Sequence, residues 1–289
     1  MAAIIDEFRI DRVRPQREWG LLVVNYLFLG GAGAGLFLAS LAFGLAWGEV
    51  TGLLAVAIAT LFLFLDLGHP ERFWRAFARP KTSWISRGSI CITLLIALGG
   101  VHAAVALTGL ELGAAQTGLS IAAAAAAIIV MVYTGFVLSP SPAIPFWNSA
   151  FFPMIFFAYS LLAGLDILIL LALLQPAASI SILTLEQVQI ALMIAILLML
   201  LSHLSITAHA GPAARQSIAL LVHGRLRWPF FGGVVIVGLI LPLLASWPAL
   251  WLGVPTLAGV AAALSLMRLT GDYLFRLLVI RAGHYDPPL

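Results

Sequence analysis

The chain has 289 residues, 62% of them hydrophobic and 9% charged, with a formal net charge of +3 and a mean hydropathy of +1.09. A soluble globular domain carries roughly 25% charged residues, so the composition excludes a protein covered by water and leaves an integral membrane protein. The basic excess fits a membrane surface, and nucleic acid is excluded as an expected partner.

Residues 1–18 mix Arg9, Arg12, Arg14 and Arg17 with Asp6, Glu7, Asp11 and Glu18. They predict a charged N-terminal segment, and the apolar run after them is too long for the core of a cleavable signal peptide. A membrane helix needs about 20 apolar residues. Eight such stretches are read at 19–46, 52–68, 88–110, 117–139, 149–173, 187–208, 228–247 and 249–270. The expected fold is an all-α integral membrane protein of eight transmembrane helices in two four-helix bundles, one transmembrane domain over 1–289. Little more than Trp247–Pro248 separates the last two stretches, so seven spans stay open as the alternative. Ser139-Pro140-Ser141-Pro142 with Pro145 ends the fourth span and Gln175-Pro176 the fifth, because proline lacks the helical N–H and clashes with the preceding turn. The run Gly30-Gly31-Ala32-Gly33-Ala34-Gly35 has no strand before it and is not a phosphate loop. Such small residues in a membrane helix let a neighbouring backbone approach closely.

With eight spans, segment 1–18, loops 69–87, 140–148 and 209–227, and a tail over 271–289 share one side. All 15 Lys and Arg are assigned there, including Arg268, Arg276 and Arg281, while Glu49, Glu111 and Glu186 lie opposite. Basic loops stay in the cytoplasm, which predicts an inner (cytoplasmic) membrane protein with both termini cytoplasmic.

Ionisable groups inside a membrane are costly and mark functional candidates. At about 1.5 Å of rise per residue, Asp66 lies about 3–5 Å from the basic side, His203 about 7–8 Å, and Asn25 and Tyr133 about 9 Å. Four polar groups from four spans thus share one layer, which suits a quinone. Its two carbonyls need donors or protonatable partners, and its tail needs lipid. The bland alternative is that the groups satisfy one another. Asp66 and His203 are the expected catalytic, proton-exchanging groups. Tyr133, Asn25, His69 and Asn148 are the expected quinone-binding set. Farther in, Tyr159, His102 and Asp166 form a candidate proton relay, or a buried and satisfied pair. Haem is not expected, because His102 lies about 21 Å from the basic side and cannot share a haem with His203. His203 and His209 point to different helix faces. The remaining histidines lack metal-ligand spacing, and Cys91 alone cannot hold an iron–sulfur cluster. No metal is therefore expected in this chain.

Certain blocks are more specific. Leu65-Asp66-Leu67-Gly68-His69-Pro70-Glu71-Arg72-Phe73 leads into Pro80-Lys81-Thr82-Ser83-Trp84-Ile85-Ser86-Arg87-Gly88. Tyr133-Thr134-Gly135 is followed by Pro145-Phe146-Trp147-Asn148-Ser149, and Trp19 precedes the glycine-rich first helix. These blocks resemble the polysulfide reductase membrane-subunit family, or NrfD type, over the first five spans, with the last three similar in hydropathy. The resemblance implies a haem-free membrane anchor of a molybdopterin iron–sulfur oxidoreductase. Its partners would be an iron–sulfur subunit with cubane 4Fe-4S clusters, a molybdopterin catalytic subunit and membrane lipid. Its substrate would be a quinone, menaquinone or ubiquinone. The resemblance also implies that Tyr133 contacts the quinone and that Asp66 is the acid ending the second helix. Asn25 is the nearest match to a polar residue of the first helix, about one turn out of register. Loop 69–87, with Arg72, Arg75, Arg79, Ser83, Trp84 and Arg87, would dock the iron–sulfur subunit. The rival readings are a proton-coupled transporter, for which no inverted repeat is visible, and a structural anchor without a quinone site.

Overall fold

A computed structural model describes residues 13–174 and 181–286. The helices are α1 (Leu21–Phe43), α2 (Ala46–Leu65), α3 (Trp84–Thr108), α4 (Ala114–Phe136), α5 (Phe151–Leu174), α6 (Ile182–Thr207), α7 (Pro212–Val222), α8 (Pro229–Leu252) and α9 (Ala258–Ala282). A 3-10 helix, Pro70–Phe77, lies between α2 and α3. Helix α8 is a π-helix over Pro229–Ile240 and an α-helix over Leu241–Leu252. Gly44 (φ 67°) and Gly109 (φ 68°) end α1 and α3 in the left-handed conformation that suits a residue without Cβ. The Ser83 Oγ accepts from the Ser86 N–H and caps α3.

Seven helices, all except α7 and α9, are long and apolar enough to cross a membrane, and the chain is a multi-pass membrane protein. Helix α9 has 25 residues but carries Arg268, Asp272, Arg276 and Arg281. Helices α1 to α4 close one ring of four, and α5, α6, α8 and α9 close a second. The rings meet where α1 crosses α5. There a Cβ at Gly31 would strike the Ser160 side chain, one at Gly35 the Ser160 carbonyl, and one at Gly164 the Gly35 backbone. Gly33 faces Gly52 of α2 in the same way. The glycine run therefore serves close packing on two faces. Lipid tails give apolar helices little reason to associate, so contact has to come from such close approach.

The two ends of the described chain meet. Strand β1 (Arg14–Pro15) pairs antiparallel with β2 (His284–Tyr285), and the Gln16 side-chain amide donates to the Trp19 and Ile280 carbonyls. Tyr285 donates to Glu18 at 2.8 Å. That bond holds the Glu18 carboxyl below its ordinary range, while burial and then the Glu18 carboxylate push the Tyr285 hydroxyl up to about 12. The Asp286 N–H donates to the Ala143 carbonyl and its carboxylate accepts from Ala213 N–H at the start of α7. Both ends of the described chain and the loops after α4 and α6 thus gather at one end.

Several boundaries differ from the sequence reading. The expected span 249–270 is displaced to Ala258–Ala282, and residues 271–282 are helix rather than tail. Pro248 lies inside α8, because a membrane helix tolerates proline where neighbouring groups satisfy the freed carbonyl. The stop comes instead at Gly253 (φ 63°). Arg268 and Arg276 do not lie on the basic face. They are buried, 2% and 0% exposed, because each meets a carboxylate inside the second ring. Glu49 falls in the first turn of α2, also buried. Gln175-Pro176 and residues 1–12 lie outside the described residues.

Candidate functional site

The Ser-Trp-x-x-Arg-Gly block builds a clamp between α3 and α4. Trp84 stacks on Phe136 with centroids 4.2 Å apart and planes 6° from parallel. Arg87 lies over the Trp84 ring at 4.5 Å and donates to the Pro80 and Lys81 carbonyls, each at 2.8 Å. One turn deeper on both helices, Gly88 faces Tyr133, and a Cβ at Gly88 would overlap the tyrosine ring. Ser83, Trp84 and Arg87 therefore hold the loop and helix ends together, whereas Arg72, Arg75 and Arg79 are exposed. The Pro-Phe-Trp-Asn block acts similarly at the other ring. The Trp147 indole N–H donates to the Val279 carbonyl at 3.1 Å, and its ring sits 5.5 Å from that of Trp19.

Tyr133 is 3% exposed and faces Tyr26 of α1, which is 2% exposed. The Tyr26 hydroxyl is directed at that of Tyr133 but makes no well-formed hydrogen bond among the described residues. Buried hydroxyls without partners are rare because desolvation is then uncompensated. Tyr26 does not stand out in the sequence, where it reads as one more apolar position. Asn25 itself turns the other way, accepting from the Tyr273 hydroxyl of α9 at 2.9 Å. Above Tyr133, a groove of about 380 Å³ opens between the ends of α3, α4 and α5, lined by Trp84, Phe136, Ser139, Asn148 and Pro153 among others.

The expected polar layer is only partly assembled. Asp66, the C-cap of α2, is exposed. His69 is exposed too, with Nδ1 3.1 Å from the Glu71 carboxylate. His203 is buried between Phe146 and Phe152, ring centroids 5.2 and 5.3 Å away, and neither ring nitrogen has a partner among the described residues.

The deeper groups separate between the two rings, which corrects the reading of His102 and Asp166 as a pair. His102 Nδ1 lies 2.8 Å from Glu49 Oε2, joining α3 to α2. Asp166 belongs to the second ring, where its Oδ1 accepts from Arg268 Nε at 2.7 Å and Gln189 Nε2 at 2.8 Å. One turn along α9, Asp272 accepts from Arg276 at 2.8 Å, and Arg276 also donates to the Leu27 carbonyl at 2.9 Å. Tyr159 lies beside this second pair, its buried hydroxyl without a partner among the described residues. Gln189 was missed as a lone polar residue within the expected span 187–208. Arg268, at the end of the expected span 249–270, and Asp272 and Arg276, in the expected tail, were missed because charges there read as part of a solvated end. Their four-residue spacing was the available signal. Among the described residues, no group of three or more His, Cys, Asp or Glu side chains is placed to hold a metal ion.

Comparison with known proteins adds two findings. The model of the family described as "Polysulphide reductase, NrfD" matches residues 12–287. A relative from Mesobacillus selenatarsenatis, described as a subunit of selenate reductase, is 33% identical over 102 residues, which is 30% of this chain and 24% of that protein. The matched stretch thus spans about a quarter of the relative.

Proposed function

We propose that this chain, which belongs to the polysulphide reductase NrfD family of oxidoreductase-complex membrane subunits, is the quinone-reactive anchor of a multisubunit respiratory enzyme. The observation that carries the reading is the Tyr26–Tyr133 pair, two buried phenols that face each other without a well-formed hydrogen bond, one turn beneath an aromatic-walled groove. A quinone head group is flat, apolar on its faces and carries two acceptor carbonyls. It would enter from the groove past the Trp84–Phe136 stack, with Asn148 at the entrance, and accept hydrogen bonds from the phenols. Ligand pockets commonly measure about 300–1,000 Å³, and the groove falls in that range.

Electrons would come from an iron–sulfur subunit docked on the same end, where Arg72, Arg75 and Arg79 are exposed, and beyond it from a molybdopterin catalytic subunit. The description of the relative as part of a selenate reductase supports membership of such a complex. Menaquinone and ubiquinone share the chemistry the site requires. Helix α9 is read as an eighth crossing. The pairing of β1 with β2 supports an even number of crossings, and Arg268, Asp272 and Arg276 point inward while Val260 and Leu266 face out. The basic end is assigned to the cytoplasm, and the two rings are read as one transmembrane domain.

The test is Tyr133→Phe in the assembled complex. Quinone-linked turnover should fall several-fold while the catalytic partner's activity with artificial electron acceptors or donors stays intact. Wild-type quinone turnover in this variant and in Tyr26→Phe together would leave a structural anchor as the better reading.

A further inference from the structure

Helix α8 lies at the edge of the second ring, packed chiefly against α9 and α6, with Phe231, Ile236, Leu241 and Leu244 turned outward. A tryptophan stands exposed at each of its ends, Trp228 at 76% and Trp251 at 75%. Apolar side chains exposed along a membrane span face lipid tails, and tryptophan rings collect at the level of the headgroups. Trp228 therefore marks the membrane surface at the end where β1 meets β2.

The turn from α7 into α8 has a fixed shape. The Gly224 N–H donates to the Ala219 carbonyl at 2.8 Å, the Leu226 N–H to the Leu220 carbonyl at 3.2 Å and the Arg227 N–H to the Gly224 carbonyl at 3.1 Å. Leu226 and Phe230 are buried in the main apolar core and anchor the turn. With Leu226 turned in, Arg225 and Arg227 turn out. The Arg227 guanidinium lies over the Trp228 ring at 5.3 Å, which keeps its charge at headgroup level. Neither arginine makes an ion pair among the described residues, and the sequence holds no Asp or Glu between Glu186 and Asp272. The other basic loop, 69–87, differs in carrying its own acid, Glu71, beside His69 and Arg72.

We propose that the α7–α8 turn binds an anionic phospholipid of the leaflet at this end. Arg225 and Arg227 hold the phosphodiester, whose oxygens match the donor fork of a guanidinium. Trp228 lies against the glycerol region, and the acyl chains run down the outer side of α8 past Phe231. Exposed arginines without carboxylate partners supply the charge complementarity, and the outward apolar side of α8 continues the surface into the lipid. Basic clusters next to a membrane helix attract anionic headgroups in this way. A protein partner resting on the end of the molecule reaches the arginines but not the outer side of α8, so the continuity with that side favours lipid. The site is separate from the Tyr26–Tyr133 pair and independent of the quinone reading.

The assembled complex, purified in a neutral detergent, is titrated with phosphatidylglycerol or phosphatidylcholine, and bound lipid is counted by native mass spectrometry. Wild type should take up phosphatidylglycerol in preference, and the preference should shrink as salt rises. Each arginine near an anionic lipid contributes about fivefold, so Arg225→Gln/Arg227→Gln should weaken phosphatidylglycerol binding about thirtyfold. A second measurement leaves the arginines untouched. The loss of quenchable fluorescence between wild type and Trp228→Phe should be larger with brominated phosphatidylglycerol than with brominated phosphatidylcholine. Equal uptake of the two lipids by wild type, unaltered phosphatidylglycerol binding in the double variant, or equal quenching differences overturn the site. Competition by glycerol 3-phosphate as strong as that by the lipid shows a soluble-anion site and overturns the lipid assignment. Loss of a partner subunit from the double variant with lipid binding intact assigns the arginines to protein docking and overturns it as well.

Discussion

Gly88→Ala tests the seat of Tyr133. A methyl group at this position would overlap the tyrosine ring, and carbon atoms rest at about 3.5–4.0 Å. The nearest ring atom would have to move by something on the order of 1.5–2 Å to reach that separation. Tyr133 is packed on its other sides within the main apolar core, so the strain has no free outlet, and overpacking of this kind costs about 1–3 kcal/mol. The effect on chemistry should be larger, since displacement of a positioning group by about 1 Å can cost on the order of 100-fold in rate. Quinone-linked turnover of the assembled complex should therefore fall by about ten- to a hundredfold. Thermal stability should fall modestly, and the partner's dye-linked activity should not change. Gly88→Ala combined with Tyr133→Leu should recover stability and leave quinone turnover low. Wild-type turnover and melting temperature in Gly88→Ala would refute both the notch and the role of the ring it holds.

Tyr26→Phe removes a buried hydroxyl that faces Tyr133 without a well-formed hydrogen bond, so the group adds little to stability. The quinone-free protein should thus be as stable as wild type or more so, while quinone affinity drops, as titration of inhibitor binding would show. Arg268→Met strands the Asp166 carboxylate and should destabilise by about 3–5 kcal/mol. Arg268→Met with Asp166→Leu should recover most of that loss in a thermal melt, and failure to recover would mean the pair contributes more than its own neutralisation. Reporter fusions after Arg87 and after Glu111 should report from opposite sides of the membrane, with the former in the cytoplasm. An external signal after Arg87 would reverse the assigned orientation without changing the fold.

Class and organisation were legible in the sequence because they depend on local quantities. Hydropathy over about 20 residues decides whether a helix can lie in lipid, so composition alone excluded a water-covered protein, and the Ser-Trp-x-x-Arg-Gly and Pro-Phe-Trp-Asn blocks pointed to the family that the comparison bears out. The glycine run was readable for the same reason, since close approach needs only small residues on a helix face. Tertiary structure decided which polar group meets which. Whether His102 finds Asp166 or Glu49 depends on which helices are neighbours, and spacing along one chain does not contain that information. The same holds for α9. Arg268, Asp272 and Arg276 cost too much to bury alone, so the sequence reading ends the span at 270 and assigns these charges to the solvated end. Carboxylates from α5 and from α9 itself offset that cost, and the last helix runs about a dozen residues further than its sequence suggested. Tyr26 stayed unremarked beside Asn25 because neighbours in a helix differ by about 100° in direction. Only the packing of α1 between two rings shows that Asn25 serves α9 while Tyr26 faces Tyr133.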